Sequence, residues 1–423
     1  MNLFAVYNLL SAIREMKYRI ILALLVGCIS VVCQAQSDSV VIDYLHRTGI
    51  ETSRRNSVRL LKSGREKFED LFAAIRQAKH HIHLEYFNFR NDSIATLTFK
   101  LLEQKASEGV EVRAMFDAFG NMSNNQPLDD QHLEAFRESG IEIVKYDPIR
   151  FPWVNHVLSR DHRKIVVIDG RIAYTGGMNI ADYYVVGLPG IGAWRDMHIR
   201  IEGDAVKALQ DIFLSMWNKS THQHVGGEAY YPTDEDCRVE DEKRIAIVNR
   251  MPRKQPKSIR RAYARSIDAA QRQIRIINPY FAPTHMVREA LKKAIRRGVR
   301  VEIMISAKSD IPFSPEGGFY LAHKLSKLGA HIYIFNGGFH HSKIMMVDDL
   351  FCTVGSTNLD SRSLRFDHEV NAFIFDKDVT AELNDVFTTD MEDCTYLTDE
   401  YYKSRSAWKR FQGWAANVLT PFL

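Results

Sequence analysis

The chain has 423 residues, of which 45% are hydrophobic, 26% charged and 11% aromatic, a make-up that excludes wholesale disorder, a collagen-like repeat and a many-pass membrane bundle. Lys and Arg number 56 against 52 Asp and Glu, and the resulting +4 is too slight for a dedicated nucleic-acid binder while compatible with an anionic membrane surface. The five cysteines (Cys28, Cys33, Cys237, Cys352 and Cys394) show no CxxC spacing, so neither a disulfide framework nor a zinc site is expected.

At the N-terminus, Lys17 and Arg19 precede an uncharged stretch over residues 20–37 whose most apolar part is 20–32. A positive flank, a short apolar run and Ala35 at a cleavage-like position predict an export signal over 1–35. The run is also close to the minimum for one spanning helix, which makes an uncleaved anchor the rival, and Leu25-Val26-Gly27-Cys28 faintly matches a lipoprotein box. On each reading the chain meets a membrane.

The body reads as one α/β unit written twice. In the first copy Phe68, Leu71, Phe72 and Ile75 mark an amphipathic helix, followed by a strand at 81–87 rich in Ile and aromatics. A helix ending at Gly109, a strand at 110–116, a helix ending at Gly140 and a strand at 141–144 come next. In the second copy Ile259, Ala262, Tyr263 and Ile267 mark the helix, followed by a strand at 273–277, a helix ending at Gly298, a strand at 299–305, a helix ending at Gly329 and a strand at 330–334. Strand alternating with helix predicts a mostly parallel sheet in each copy. The predicted organisation is a first domain over 44–225, a charged, turn-rich linker over 226–256, a second domain over 257–395 and a tail over 396–423.

The strongest signal recurs at one place in each copy. Residues 161–169 read DHRKIVVID and residues 340–348 read HHSKIMMVD, so both contain H-x-K-x4-D; Gly176-Gly177-Met178-Asn179 then matches Gly355-Ser356-Thr357-Asn358. Each pair (His162 and His341, Lys164 and Lys343, Asp169 and Asp348, Asn179 and Asn358) is 179 residues apart. In extended chain, residues i and i+2 share a face, so His and Lys point together and the four apolar residues after Lys run through a buried sheet. Asp169-Gly170 and Asp348-Asp349 then turn the chain into a returning strand that brings the glycines and Asn back beside the His/Lys pair. Imidazole, ammonium and amide together suit a phosphoryl group. The motif set is His162, Lys164, Asp169, His341, Lys343 and Asp348, and within it the two aspartates are expected to be architectural, four apolar residues away from the His/Lys end. Asp196 and Glu369, one further carboxylate per copy, are candidates to orient the imidazoles. His80, His81, His83, His222 and His224 lack companions at metal-ligand spacing.

The doubled H-x-K-x4-D with G-x-x-N resembles the phospholipase D superfamily over about residues 55–395, and within it the bacterial cardiolipin synthases. Residues 173–176 (AYTG), 278–281 (NPYF), 355–363 (GSTNLDSRS) and the ending 418–423 (VLTPFL) carry the closer likeness. The resemblance implies two similar α/β domains about a pseudo-two-fold axis with one active site between them. It implies chemistry without metal or cofactor, through a phosphohistidine: His162 as nucleophile, His341 as acid and base, Lys164, Lys343, Asn179 and Asn358 holding phosphate oxygens, and Asp196 and Glu369 orienting the rings. The expected activity is transfer of a phosphatidyl group from one phosphatidylglycerol to another, with hydrolysis of a phospholipid as the alternative. The expected partners are an anionic phospholipid substrate and a membrane surface, at the bacterial cell membrane or its exported side, with no nucleic acid and no obligate partner protein. Many such synthases begin with two spanning segments, and one apolar stretch is found here. In the tail, Trp408, Phe411, Trp414, Val418, Leu419 and Phe422 share a helical face beside Lys403, Arg405, Lys409 and Arg410, an interfacial pattern whose rival is a helix docked on the core.

Overall fold

The computed structural model describes residues 37–149, 158–233, 239–311 and 314–419, so the expected export signal or anchor lies outside the described residues, as do Cys28, Cys33, Cys237 and Phe422. Two sheets organise the chain. The first contains β1 (Asn56–Leu61), β2 (His81–Tyr86), β3 (Glu111–Asp117), β4 (Ile141–Tyr146), β5 (Ile165–Ile168), β6 (Ile172–Gly176) and β7 (His198–Gly203), in the spatial order β1-β7-β6-β5-β2-β3-β4. The second contains β8 (Arg244–Arg250), β9 (Gln273–Ile277), β10 (Arg300–Ser306), β11 (His331–Phe335), β12 (Ile344–Val347), β13 (Phe351–Gly355) and β14 (Glu369–Phe375), in the order β8-β14-β13-β12-β9-β10-β11. These seven strands follow the same order in both sheets, and the second sheet carries two short edge strands more, Thr52–Ser53 and Cys394–Tyr396. The duplication read from the sequence is therefore a duplication of topology.

The sheets are mixed, which corrects the expectation of mostly parallel ones. Only β2, β3 and β4, and likewise β9, β10 and β11, run parallel; the other neighbours within each repeat are antiparallel. Parallel pairing needs a crossover, and within each of those triplets a helix joins one strand to the next; the motif strand and its return strand are joined by a tight turn. That turn carries positive φ at both central positions, 53° and 66° at Asp169 and Gly170 and 53° and 58° at Asp348 and Asp349. Three residues separate the paired strands, Ile168 facing Ile172 and Val347 facing Phe351, and Asp and Gly tolerate the left-handed positions this turn needs. The helices stop where expected, with Gly109 and Gly298 at φ 89° and 84° just beyond Ser93–Ser107 and His285–Arg296.

Three boundaries differ from the sequence reading. β8 lies inside the stretch expected to be linker and forms a strand of the second sheet. Thr52–Ser53, assigned to the first domain, extends the second sheet beside β8, and Val41 and Leu45 of the helix over 37–47 join the second domain's core with Ala246, Val248 and Ile259. Part of the tail belongs to that core too: Leu397 and Tyr402 are buried in it.

Period-two alternation splits each motif strand between two cores. In β5, Ile165 and Val167 enter a cluster shared by both sheets, whereas Val166 and Ile168 face the first domain's own helices. In β12, Ile344 and Met346 enter the shared cluster, whereas Met345 and Val347 face the second domain's helices. The apolar quartets after the lysines are thus the residues that clamp the two sheets together.

Candidate active site

The residues just before β5 and β12 leave the sheets and meet the opposite domain. Asp161 bridges to His368 in parallel, the amide of His162 donates to the His368 carbonyl at 3.1 Å and that of His368 donates to the Arg160 carbonyl at 2.8 Å. On the other side Phe339–His340 pairs in parallel with Trp194–Arg195, and the His341 amide donates to the Arg195 carbonyl at 2.6 Å. These junctions are reciprocal, as an approximate two-fold requires.

The exchange puts each imidazole on a carboxylate from the other half. His162 Nδ1 lies 3.0 Å from Glu369 Oε1, and His341 Nδ1 lies 2.6 Å from Asp196 Oδ2. An imidazole whose Nδ1 proton is held by a carboxylate keeps Nε2 for chemistry. Both carboxylates are fully buried, while the His162 and His341 side chains keep 14% and 8% of their surface exposed, enough for one edge to reach a cleft. Phe87 packs edge-on to His162 at 5.1 Å, and Trp194, Phe339, Tyr280 and Tyr184 surround His341 at 5.4, 5.4, 6.1 and 6.5 Å. Such walls keep the local dielectric low and strengthen every polar interaction inside.

Lys164 and Lys343 are buried beside their histidines. Lys164 Nζ donates to the His162 carbonyl at 2.6 Å; Lys343 Nζ donates to the His341 carbonyl and lies 2.8 Å from its Nδ1. Burial, countered by Glu369 and joined by repulsion from Lys343, pushes Lys164 down to about 7; burial, countered by Asp196 and Glu369, pushes Lys343 down to about 8. Burial and the neighbouring lysines push His162 down to about 4 and hold His341 well below its ordinary value, to which the charge of His162 also contributes. The site without substrate thus disfavours positive charge, and an arriving phosphodiester supplies the negative charge that restores it.

The two halves are not equivalent. Burial raises the Asp196 carboxyl to about 6 despite Lys343. Burial also works against Glu369, yet His162, Lys164 and the Ser356 hydroxyl, which donates to Glu369, hold it below the ordinary range. Gly177 stands where Ser356 stands, and a Cβ there would lie 2.2 Å from Asp196 Oδ1. The shorter Asp196 therefore occupies the room a serine would need.

Asn179 and Asn358 are both buried, each with an Oδ1 that has no partner. A half-turn of either amide presents N–H donors instead. Asp169 and Asp348, grouped with the motif residues in the sequence reading, sit at the far end of β5 and β12, not among them. Asp169 accepts the backbone amides of Lys79, His80 and His81 at 2.9, 2.8 and 3.0 Å, and Asp348 those of Gln271, Arg272 and Gln273 at 2.8, 2.7 and 2.9 Å. Each aspartate anchors the start of the neighbouring strand, β2 or β9. Replacing Asp348 with Ala removes three charge-assisted hydrogen bonds and places Ala at positive φ, so a loss of about 3 kcal/mol is expected. Urea denaturation measures it, and turnover per folded molecule should stay near wild type.

The sequence reading missed Lys67. It is fully buried, and its Nζ donates to the carbonyls of Met178 and Asn179 at 3.3 and 2.9 Å, bracing the turn that carries Asn179. Its signal was present: Lys67 shares the helical face of Leu71 and Ala74. Also missed was a clamp behind His162. Arg160, wholly buried, donates to both oxygens of Asp117 at 3.0 Å, and Arg163 pairs with Glu85 at 2.8 Å and Asp161 at 3.1 Å. A cavity of about 700 Å³ lies on the Arg163 side, lined by residues including Tyr146, Met216, Lys219, Met251 and His368; neither motif histidine lines it.

The family described as "Cardiolipin synthase, PLD-like domain" matches residues 71–217 and 263–391, once over each copy. The chain belongs to this family. It is 36% identical to a cardiolipin synthase of Listeria monocytogenes over 378 residues, covering 89% of this chain and 77% of the relative. It is likewise 36% identical to cardiolipin synthase 2 of Staphylococcus epidermidis over 370 residues, covering 87% and 75%. Among solved structures, the phosphatidylserine synthase of Haemophilus influenzae superposes with a TM-score of 0.68 over 92% of this chain and 100% of that one, at 12% identity, which speaks for the shared two-domain fold. Membership confirms the phospholipase D-like fold expected from the doubled motif. Among the described residues no helix is long and apolar enough to cross a membrane.

Proposed function

We propose that the chain is a phosphatidyltransferase that joins two phosphatidylglycerol molecules into cardiolipin and glycerol. The observation that carries this reading is the crossed pairing of two imidazoles with two buried carboxylates, beside two buried lysines. His162 Nε2 attacks phosphorus and forms a P–N bond. The bond from phosphorus to the glycerol headgroup breaks, and His341 gives its Nε2 proton to the departing oxygen. The headgroup hydroxyl of a second phosphatidylglycerol returns a proton to His341 as it attacks phosphorus, and the P–N bond breaks. The nucleophile role suits His162, because ionised Glu369 fixes its proton on Nδ1 and leaves the Nε2 lone pair free. The acid and base role suits His341, because Asp196, pushed to about 6, gives that pair a proton affinity close to neutrality. Lys164, Lys343 and the amides of Asn179 and Asn358 hold the non-bridging oxygens, whose charge stabilises the protonated lysines in turn.

The reaction takes place at a membrane surface, where this donor and this acceptor both reside. Incubating the purified protein with phosphatidylglycerol and excess EDTA, then analysing lipids by mass spectrometry, tests the proposal. Cardiolipin with an equal yield of glycerol is expected, because imidazole and ammonium groups supply the chemistry. Phosphatidic acid as the main product would instead make the protein a hydrolase.

A further inference from the structure

We infer that the mouth of the catalytic cleft is ringed by an apolar surface that docks on an anionic phospholipid bilayer, with the helix Ala407–Leu419 as its largest part. The bilayer as occupant rests on the lipid substrate proposed above; the surface itself rests on separate observations.

The first concerns the tail helix. Trp408, Phe411, Trp414 and Val418 are all at least half exposed and form one stripe, with the Trp408 and Phe411 rings 5.6 Å apart and those of Phe411 and Trp414 5.7 Å apart. The opposite side of the helix is already partnered. A Cβ at Gly413 would meet the Glu316 carbonyl at 2.5 Å, and one at Gly317 would meet Ala416 Cβ at 3.2 Å, so the helix lies tight against Ser314–Ser326. Arg405 and Glu316 lock the same joint with an ion pair at 2.5 Å. The tail helix therefore docks on the protein, as the rival reading expected, and still leaves its aromatic stripe uncovered among the described residues. Aromatic and aliphatic side chains next to exposed Lys409 and Arg410 match an interface of acyl chains under anionic headgroups.

The second observation is that isolated, exposed apolar residues stand on the loops that build the cleft. Val186 ends the helical turn begun by Tyr183 and Tyr184, and Tyr184 is one wall of His341. Ile311 follows Asp310, which accepts the hydroxyl of Tyr280, another wall. Met122 sits on the turn Ala118–Ser123, whose Gly120 packs on Phe87, the wall of His162. Met122 and Ile311 follow β3 and β10, the corresponding strands of the two repeats, so both halves present an apolar side chain at the same end of the fold. The helix that holds the tail, Ser314–Ser326, also packs at Gly318 against Phe281, a Cβ there lying 3.7 Å from the Phe281 carbonyl, next to the Tyr280 wall of His341, which joins the tail stripe to the cleft rim.

Full-length protein carrying Trp408→Ser, Phe411→Ser and Trp414→Ser tests this. On vesicles of phosphatidylglycerol and phosphatidylcholine, turnover is expected to fall about tenfold or more, because three interfacial anchors are lost. On a short-chain phosphatidylglycerol dispersed as monomers, turnover should match wild type. Val186→Ser with Ile311→Ser should show the same split. Equal loss on both substrates, or full activity of the triple variant on vesicles, would overturn the inference. A second readout is independent of turnover: vesicles with brominated acyl chains should quench wild-type tryptophan emission, and the quenching should shrink when Trp408 and Trp414 are changed to Phe. No difference in quenching would overturn it as well. A wild type that turns over neither substrate would defeat the proposed activity and leave the quenching to decide the surface.

Discussion

His162→Ala and His341→Ala should each lower turnover of phosphatidylglycerol by about 10⁴ or more while the fold persists, because the two imidazoles act as one unit and removing either costs about as much as removing both. Folding should survive: each ring stands in the stretch just before β5 or β12, outside both sheets, and keeps part of its side chain exposed. The two losses should come apart when the leaving group needs no proton. With a p-nitrophenyl ester of phosphatidic acid, the departing phenolate is stable at neutral pH, so the acid is dispensable for the first step. His341→Ala should then release about one phenolate per enzyme in a burst and stall, holding phosphorus on His162 as an acid-labile, base-stable adduct. His162→Ala should show no burst. A burst from His162→Ala, with none from His341→Ala, would exchange the two roles.

The residues behind this prediction were legible in the sequence because their spacing encodes geometry. An H-x-K step on extended chain, four apolar residues and a tight turn fix which way each group points, and β5 and β12 obey that register. The same reading gave the duplicated order of strands and helices, since glycine stops such as Gly109 and Gly298 are local signals. What it did not give is everything set by tertiary exchange. Nothing local in Asp196 or Glu369 says that each serves the histidine of the other half; that follows from the strand-like junctions at Trp194–Arg195 with Phe339–His340 and at Asp161 with His368. β8 was hidden in a charged stretch because its buried residues, Ile245 to Val248, are only a few positions long and flanked by arginines and turns. The antiparallel pairing of the outer strands was equally invisible, since alternation of helix and strand reports crossovers and not the hairpins beside them.

Crossed pairing makes the carboxylates the next most sensitive positions, and it makes them unequal. Asp196 is an acceptor on both oxygens: Oδ1 takes the Met197 amide at 2.7 Å and Oδ2 takes His341 Nδ1 at 2.6 Å. In Asp196→Asn the backbone amide claims the carbonyl oxygen, so the NH₂ group turns toward Nδ1 and forces the ring into the tautomer with its proton on Nε2. That tautomer can no longer act as base toward the incoming hydroxyl, and a loss of about 10⁴ in kcat is expected. Glu369 differs because one of its two partners is the Ser356 hydroxyl, which also donates to the Val370 carbonyl and can accept from an amide. Glu369→Gln therefore keeps its carbonyl on His162 Nδ1 and loses only charge, for an expected drop of about 10². The pH profile separates this from a merely structural effect. The first step needs a proton on the Asp196–His341 pair and burial raises Asp196 to about 6, so kcat/KM of the wild type should fall as pH rises through about 6, where the pair gives that proton up; Lys164, lowered to about 7, should deepen the fall on the alkaline side. Bound phosphodiester raises the lysine again, so the alkaline limb of kcat should lie above that of kcat/KM. Asp196→Asn should erase the limb near 6 and keep the one near 7. Retention of the limb near 6 in that variant would assign it to another group and detach Asp196 from the proton traffic of His341.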